Sequence, residues 1–132
     1  MSMLKEKDAQ KDAQILIVDD QEGIRNLLLE TCLMLGYEAI ATGSGEEALT
    51  LVENHDFQGV LLDVRMPGFD GRKTLEQILR EGKKPRIIII SGYCDCEKKL
   101  EELSANPLVD AVLKKPFQLQ ELQALLEKKI KQ

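Results

Sequence analysis

The sequence predicts an α/β fold in which a doubly wound, five-stranded parallel sheet carries helices on both faces. Five short aliphatic runs recur along the chain, and a segment with a helical spacing of apolar residues follows each run. Four of the runs are nearly continuous in apolar residues, which is typical of strands buried on both faces. A βα unit repeated five times forms a parallel sheet through right-handed crossovers, and 2-1-3-4-5 is a common strand order for such sheets.

Each predicted element has a local signature. The strands are predicted at 15–18, 38–41, 60–62, 87–90 and 111–113. The helical patterns contain Ile24, Leu27, Leu28 and Leu35; Ala48, Leu51 and Val52; Leu75, Ile78 and Leu79; and Leu119, Leu122 and Leu126. A further helix over 97–104 rests on two leucines only. Gly36 is placed to end the first helix, and Ser44 to cap the start of the second.

The length of 132 residues predicts one domain. Residues 1–13 are polar and lack apolar periodicity, so they are predicted to be a disordered extension of a folded domain at 14–132. A formal net charge of −5 argues against a nucleic-acid-binding role. Short basic clusters, such as Lys83 with Lys84, are interpreted as solvated surface.

The sequence predicts no targeting signal. The chain begins without an apolar leader segment, and its longest aliphatic run, 87–90, is too short to cross a bilayer. Three cysteines leave at least one without an internal partner, which suits a reducing compartment. We therefore expect a cytoplasmic protein without membrane attachment, and nothing in the sequence demands more than a monomer.

Polar side chains follow four of the predicted strands. Asp19 and Asp20 come after the first, Asp63 after the third, Ser91 after the fourth and Lys115 after the fifth. The carboxyl ends of parallel strands meet at one edge of a sheet, so these side chains are expected to lie close together. Crowded carboxylates repel one another, and a hard divalent cation such as Mg²⁺ relieves that cost. Asp63 could then attack phosphorus as a nucleophile.

Each of these residues also has an ordinary interpretation, and Asp20 alone could cap the first helix. Their joint occurrence at one edge is what indicates a site. An aspartyl-nucleophile phosphatase needs a second acid two residues after Asp63, and Arg65 stands there. A nucleotide or flavin module needs a glycine-rich phosphate loop, and the chain shows none.

Four motifs carry a resemblance to a known family: IVDD at 17–20, LLDVRMPGFDG at 61–71, SGY at 91–93 and KPF at 115–117. Together they resemble the receiver domain of two-component response regulators, over about 14–129. The stretch 19–25 further resembles the stand-alone receivers of the sporulation phosphorelay. The resemblance implies a flavodoxin-like fold and a phosphoacceptor signalling domain rather than an enzyme.

The resemblance also implies a role for each acidic residue. Asp63 would be the phosphoacceptor in a reaction that needs Mg²⁺, with Mn²⁺ as a substitute. Asp20 would bind the metal directly, and Asp19 would assist through water. The backbone carbonyl of Arg65 would be a further ligand beside Asp63.

The same resemblance implies that Ser91 is a switch hydroxyl and that Lys115 binds the phosphoryl group. The peptide between Lys115 and Pro116 would be cis. Many receivers carry an aromatic residue three positions before the lysine, and Val112 stands there in this chain. We therefore expect the activating change to propagate differently.

The resemblance names a histidine kinase, or a histidine phosphotransfer protein, as the partner. This partner would cover the rim of the site, although Ile24 could equally be a core residue because it shares a helix face with Leu28. The alternative function is the receiver fragment of a longer DNA-binding response regulator. The candidate interface residues are Gln21, Ile24, Arg25, Tyr93, Pro116 and Phe117.

Overall fold

The computed structural model describes residues 14–64, 71–92, 101–102 and 104–130, which contain all five strands. The strands are β1 (Gln14–Val18), β2 (Glu38–Thr42), β3 (Gly59–Asp63), β4 (Arg86–Ser91) and β5 (Val109–Lys114). They form one parallel sheet in the order β2-β1-β3-β4-β5, which confirms the predicted order. Predictions for 1–13, Arg65, Tyr93 and most of the 97–104 helix lie outside the described residues.

Helices follow the strands on both faces of the sheet. They are α1 (Glu22–Met34), α2 (Gly45–Asn54), α3 (Gly71–Arg80) and α4 (Leu119–Leu125), and a π-helical turn (Leu126–Ile130) extends the last one. Gly36 follows α1 with φ +93°, a conformation that a residue without a Cβ adopts at little cost. Ser44 Oγ accepts a hydrogen bond of 3.2 Å from the amide of Glu47, so its predicted role as the N-cap of α2 is confirmed.

The sheet divides the core into two layers because successive side chains of a strand point to opposite faces. In β1, Ile15 and Ile17 pack with residues of α1 and α4, whereas Leu16 and Val18 pack with residues of α2 and α3. All four side chains are fully buried. Burial of such a side chain contributes about 1.5–3 kcal/mol to the free energy of unfolding. The central strands are therefore stable, and they fix the start of each loop at their carboxyl ends.

Lys83 lies between α3 and β4, and its prediction as solvated surface is wrong. Its ammonium group donates to the carbonyl oxygens of Val52 at 2.6 Å and His55 at 2.9 Å, and it pairs with Asp56 at 3.4 Å. The last carbonyl groups of a helix lack hydrogen-bond donors within the helix, and the Lys83 ammonium group supplies such donors at the end of α2. The adjacent Lys84 is exposed, as predicted.

Among the described residues, no helix combines the length and the apolar character that crossing a membrane requires.

Candidate functional site

The carboxyl edge of the sheet brings together the side chains that the sequence singled out. Asp19 directly follows β1, Asp63 ends β3 and Ser91 ends β4. Lys115 follows β5, and its amide donates a 2.7 Å hydrogen bond to the carbonyl of Ser91. The backbone pairing of the sheet therefore sets the spacing of these residues.

Three carboxylates form the acidic part of the site. Asp19, Asp20 and Asp63 each place one carboxylate oxygen within 4.8 Å of those of the other two. Asp19 and Asp63 are buried, and Asp20 is exposed at the mouth. Within the described part of the chain, Asp19 Oδ2 has no hydrogen-bond donor in bonding geometry. Oxygen ligands of this kind and number suit a hard divalent cation, so the residues present fit Mg²⁺.

The electrostatics of Asp19 show the cost of this crowding. Burial raises the pKa of its carboxyl group above the ordinary value, and the nearby Asp63 carboxylate raises it further. A 2.9 Å hydrogen bond from the amide of Gln21 and the charge of Lys115 act in the opposite direction. The site therefore holds negative charge that favours a positive partner.

Lys115 supplies a positive charge inside the cluster. Its Nζ lies 3.2 Å from Asp19 Oδ2 and 3.5 Å from Asp63 Oδ2. A shorter contact of 2.6 Å joins it to Oε1 of Gln21. The lysine side chain is 17% exposed, so most of it is shielded from solvent. The peptide between Lys115 and Pro116 is cis, as the resemblance implies.

Ser91 places a hydroxyl group at the same edge. The residue is fully buried, and its Oγ has no hydrogen-bond partner among the described residues. A buried hydroxyl without a partner costs free energy, so this group is available to an oxygen that enters the site. Val112, the residue at the usual aromatic position, is half-buried in β5 and pairs with Ile89 of β4.

The loop between β1 and α1 departs from one interpretation of the sequence. Asp20 does not cap α1, because the N-cap position belongs to Gln21 and no side chain caps that end. Arg25 is half-buried, and its Nη1 donates a 3.0 Å hydrogen bond to the carbonyl of Asp19. A Cβ at Gly43 would lie 2.7 Å from the same nitrogen, so the glycine leaves room for the guanidinium. Arg25 therefore supports the acidic loop from within the chain.

A groove of about 400 Å³ opens beside Lys115. Four of the six candidate interface residues line it, together with Leu27, which the sequence analysis assigned only to a helical pattern. Arg25 does not line the groove, and Ile24 both lines it and packs against the core of α1 and α4. Leu27 lies three residues after Ile24 on α1, a spacing that could have placed it on the same surface. The lining residues are Gln21, Ile24, Leu27, Lys115, Pro116 and Phe117.

Comparison with known proteins agrees with this fold and site. A family model described as the response regulator receiver domain matches residues 15–127. The chain belongs to the response regulator receiver family. A solved CheY-like receiver domain protein from Methanospirillum hungatei JF-1 is similar to this receiver with a TM-score of 0.78 and 28% identity. That likeness covers 89% of this chain and 93% of the other, so the predicted family and fold are confirmed.

Curated relatives of this receiver differ in length. It is 34% identical to sporulation initiation phosphotransferase F of Bacillus subtilis, over 87% of this chain and 91% of that protein. It is 32% identical to the probable transcriptional regulator ycf27 of Cyanidium caldarium, over 94% of this chain and 49% of that protein. It is also 32% identical to the regulatory protein AtoC of Escherichia coli, of which it covers 24%. The chain thus spans about half or less of these regulators, but nearly all of the Bacillus phosphotransferase.

Proposed function

We propose that this receiver accepts a phosphoryl group on Asp63 and relays a signal through that modification. The observation that carries the proposal is the convergence, at one edge of the sheet, of a buried carboxylate, a lysine ammonium group and a buried serine hydroxyl that no described residue binds. Asp63 would be the acceptor, and Lys115 and Ser91 would bind the phosphoryl oxygens. A domain boundary at residue 14 fits the start of β1 and belongs to this proposal.

The transfer itself needs one nucleophile and one leaving group. A carboxylate oxygen of Asp63 attacks phosphorus while the P–N bond of a phosphohistidine breaks, and the imidazole nitrogen keeps the electron pair. The products are an acyl phosphate on Asp63 and an unmodified histidine. The Lys115 ammonium group, 3.5 Å from Asp63, offsets the charge on the phosphoryl oxygens as the group arrives. Ser91 Oγ then donates a hydrogen bond to one of those oxygens.

Mg²⁺ is the cofactor that fits the acidic part of the site, and Mn²⁺ would substitute for it. Asp19, Asp20 and Asp63 would hold the ion, together with the carbonyl of Arg65, which lies outside the described residues. When bound, the cation would neutralise negative charge on the acceptor and the phosphoryl oxygens. Asp19 Oδ2 supports this assignment, because it is buried and, among the described residues, has an ion pair with Lys115 at 3.2 Å but no hydrogen-bond donor in bonding geometry.

The partner that delivers the phosphoryl group would be a histidine kinase or a histidine phosphotransfer protein, since proteins of this family act with such partners. The groove beside Lys115 offers apolar contacts from Ile24, Leu27 and Phe117 within reach of the acceptor. A helical segment of the partner could lie there while its histidine faces Asp63. The Bacillus phosphotransferase, of similar length, supports a stand-alone cytoplasmic role as a phosphorelay component.

A second candidate function is the receiver part of a longer DNA-binding regulator. The names and lengths of the ycf27 and AtoC relatives favour it. Onward transfer separates the two candidates. The phosphorylated chain is mixed with a purified histidine phosphotransfer domain, and movement of label from this chain to the domain's histidine supports the relay role. Retention of the label on this chain would favour the regulator fragment.

Phosphorylation by a small donor tests the proposal without any partner. Incubation with acetyl phosphate and Mg²⁺ should add one hydroxylamine-sensitive phosphoryl group per chain, and chelation of the metal should prevent it. Asp63→Asn should abolish the labelling, whereas Asp56→Asn, a change at a carboxylate that is 90% exposed, should leave it intact. Equal labelling of the Asp63→Asn protein would overturn the assignment.

A further inference from the structure

Among the described residues, Gln21 makes the shortest contact of the Lys115 ammonium group. Its Oε1 lies 2.6 Å from Lys115 Nζ, compared with 3.2 Å for Asp19 Oδ2 and 3.5 Å for Asp63 Oδ2. The two residues are 94 positions apart, so the contact joins the loop after β1 to the loop after β5. The acceptor nearest to this lysine is therefore a neutral amide rather than a carboxylate.

Helix capping does not explain a glutamine at the start of α1. Gln21 occupies the N-cap, where Ser, Thr, Asp and Asn are the favoured residues, and its side chain makes no capping hydrogen bond. Its backbone is held on both sides, because the amide is bonded to Asp19 Oδ1 at 2.9 Å and the carbonyl accepts from the amide of Arg25 at 2.8 Å. A fixed backbone gives the side-chain amide a fixed reach toward Lys115.

We propose that Gln21 is a positioning residue that holds the Lys115 ammonium group in place for phosphoryl transfer to Asp63. This inference rests on the proposed function of Asp63 and Lys115. A lysine side chain has four flexible methylene groups and loses conformational freedom when it is held. Gln21 binds one of the three N–H donors of Lys115, and Nζ then lies 3.2 Å from Asp19 Oδ2 and 3.5 Å from Asp63 Oδ2. Part of the ordering cost is thus met before the phosphoryl group arrives.

The glutamine amide is neutral, and this matters because a charged acceptor would act differently on Lys115. A carboxylate at this position would hold Lys115 by charge, and it would compete with the phosphoryl oxygens for the same ammonium group. It would also add a fourth negative charge beside Asp19, Asp20 and Asp63, whose oxygens already lie within 4.8 Å of one another. An amide oxygen provides the hydrogen bond without either effect.

The test compares Gln21→Met, which keeps the length of the side chain and removes the acceptor, with Gln123→Met, the same change at an exposed position of α4. The rate of Asp63 labelling by acetyl phosphate at saturating Mg²⁺ should fall about fivefold in Gln21→Met, less than the full loss of a hydrogen bond to a charged group because water can replace the amide. The dissociation constant for Mg²⁺, measured by calorimetry, should stay the same. Gln123→Met should match the wild type in both measurements.

A second readout follows the lysine itself. The ¹H–¹⁵N signal of the Lys115 ammonium group should be protected from exchange with water in the wild type, and Gln21→Met should lose that protection. Gln21→Glu keeps an acceptor at the same reach and should retain it. A change that acted only on the start of α1 would leave this signal unaltered, so the readout separates positioning from a structural role.

The outcomes distinguish this inference from the proposed function. A wild-type protein that takes no label from acetyl phosphate contradicts the proposed function. A labelled wild type with an equal rate in Gln21→Met contradicts the positioning role alone. Retained protection of the Lys115 signal in a slower Gln21→Met protein would also overturn it, because Gln21 would then act through another group.

Discussion

Lys83 and Lys115 are two lysines held by oxygen acceptors at opposite edges of the sheet. Lys83 Nζ is bound mainly by backbone carbonyl oxygens at the end of α2, at 2.6 and 2.9 Å. Lys115 Nζ donates to Gln21 Oε1 at 2.6 Å and forms ion pairs with the carboxylates of Asp19 and Asp63, at 3.2 and 3.5 Å. The two side chains are similarly buried, 21% and 17% exposed, so exposure does not distinguish them.

The difference lies in what the acceptors can do. Carbonyl oxygens at a helix end are fixed by the helix and carry no net charge, so Lys83 can only complete the hydrogen bonding of α2. Carboxylates can exchange an ammonium partner for a metal ion, and in the proposed function one of them, Asp63, becomes an acyl phosphate. We therefore expect the ammonium group to contribute to stability at the edge that holds Lys83 and to the proposed phosphoryl transfer at the edge that holds Lys115.

The largest expected effect is a difference in the rate of Asp63 labelling between variants of the two lysines. Lys115→Met should lower the rate of Asp63 labelling by acetyl phosphate about 100-fold, the usual cost of removing one group that stabilises charge in the transition state. Lys83→Met should label at the wild-type rate, because its contacts lie at the other edge. Rates are compared at a temperature where circular dichroism shows both variants folded. Equal losses in the two variants would contradict the distinction.

Metal binding should stabilise the fold through residues at the carboxyl ends of the strands, and it should not depend on Lys83. At a Mg²⁺ concentration 100 times its dissociation constant, the free energy of unfolding should rise by about 2.7 kcal/mol through linkage. Urea denaturation with and without Mg²⁺ measures this gain. Asp20→Asn should remove most of it, whereas Lys83→Met should keep it. A gain that survives in Asp20→Asn would place the metal elsewhere.

The contacts of Lys83, at the edge of the sheet opposite to the carboxyl ends of the strands, should contribute to the free energy of unfolding. Lys83→Met should lower the free energy of unfolding by about 1–2 kcal/mol, because partly buried carbonyl oxygens lose hydrogen bonds to a charged donor that is itself partly open to solvent. Its exposed neighbour provides a matched control, since Lys84→Met should change the value by less than about 0.5 kcal/mol. Similar urea midpoints for the two variants would show that the contacts of Lys83 contribute nothing.

A buried thiol away from the site should act on stability alone, with no effect near neutral pH. Burial raises the pKa of Cys32 to about 12 from its ordinary value of 9.0. Stability from the neutral thiol is fully present below pH 9.0 and is lost as pH rises toward 12, because only the unfolded thiol ionises in that window. The wild type should lose up to about 1.4 kcal/mol per pH unit more than Cys32→Ala. Parallel pH profiles of urea midpoints would contradict this.

Much of the fold follows from local sequence patterns. Ile87 and its three following isoleucines predict a strand buried on both faces, and all four are fully buried in β4. The site is also predictable in outline, because a residue that follows a parallel strand has only one edge to occupy. Asp19, Asp63 and Ser91 reach that edge through strand pairing alone.

The contacts that the sequence did not reveal join distant parts of the chain. Lys83 meets backbone carbonyl oxygens about 30 positions earlier, and no side-chain pattern marks such acceptors. The bond between Gln21 and Lys115 spans 94 positions and depends on how two loops face each other. A glutamine where a helix would ordinarily carry a capping residue was the one available signal for it.

The central claim is that Asp63, and no other carboxylate at the edge, receives the phosphoryl group. Borohydride reduction of the phosphorylated protein converts an aspartyl phosphate to homoserine, and mass spectrometry of the peptides locates the change. The account predicts homoserine at position 63 in the wild type, in a Mg²⁺-dependent amount, and none at Asp19 or Asp20. Homoserine at either of those positions, or its absence from a protein that carries label, would contradict the account.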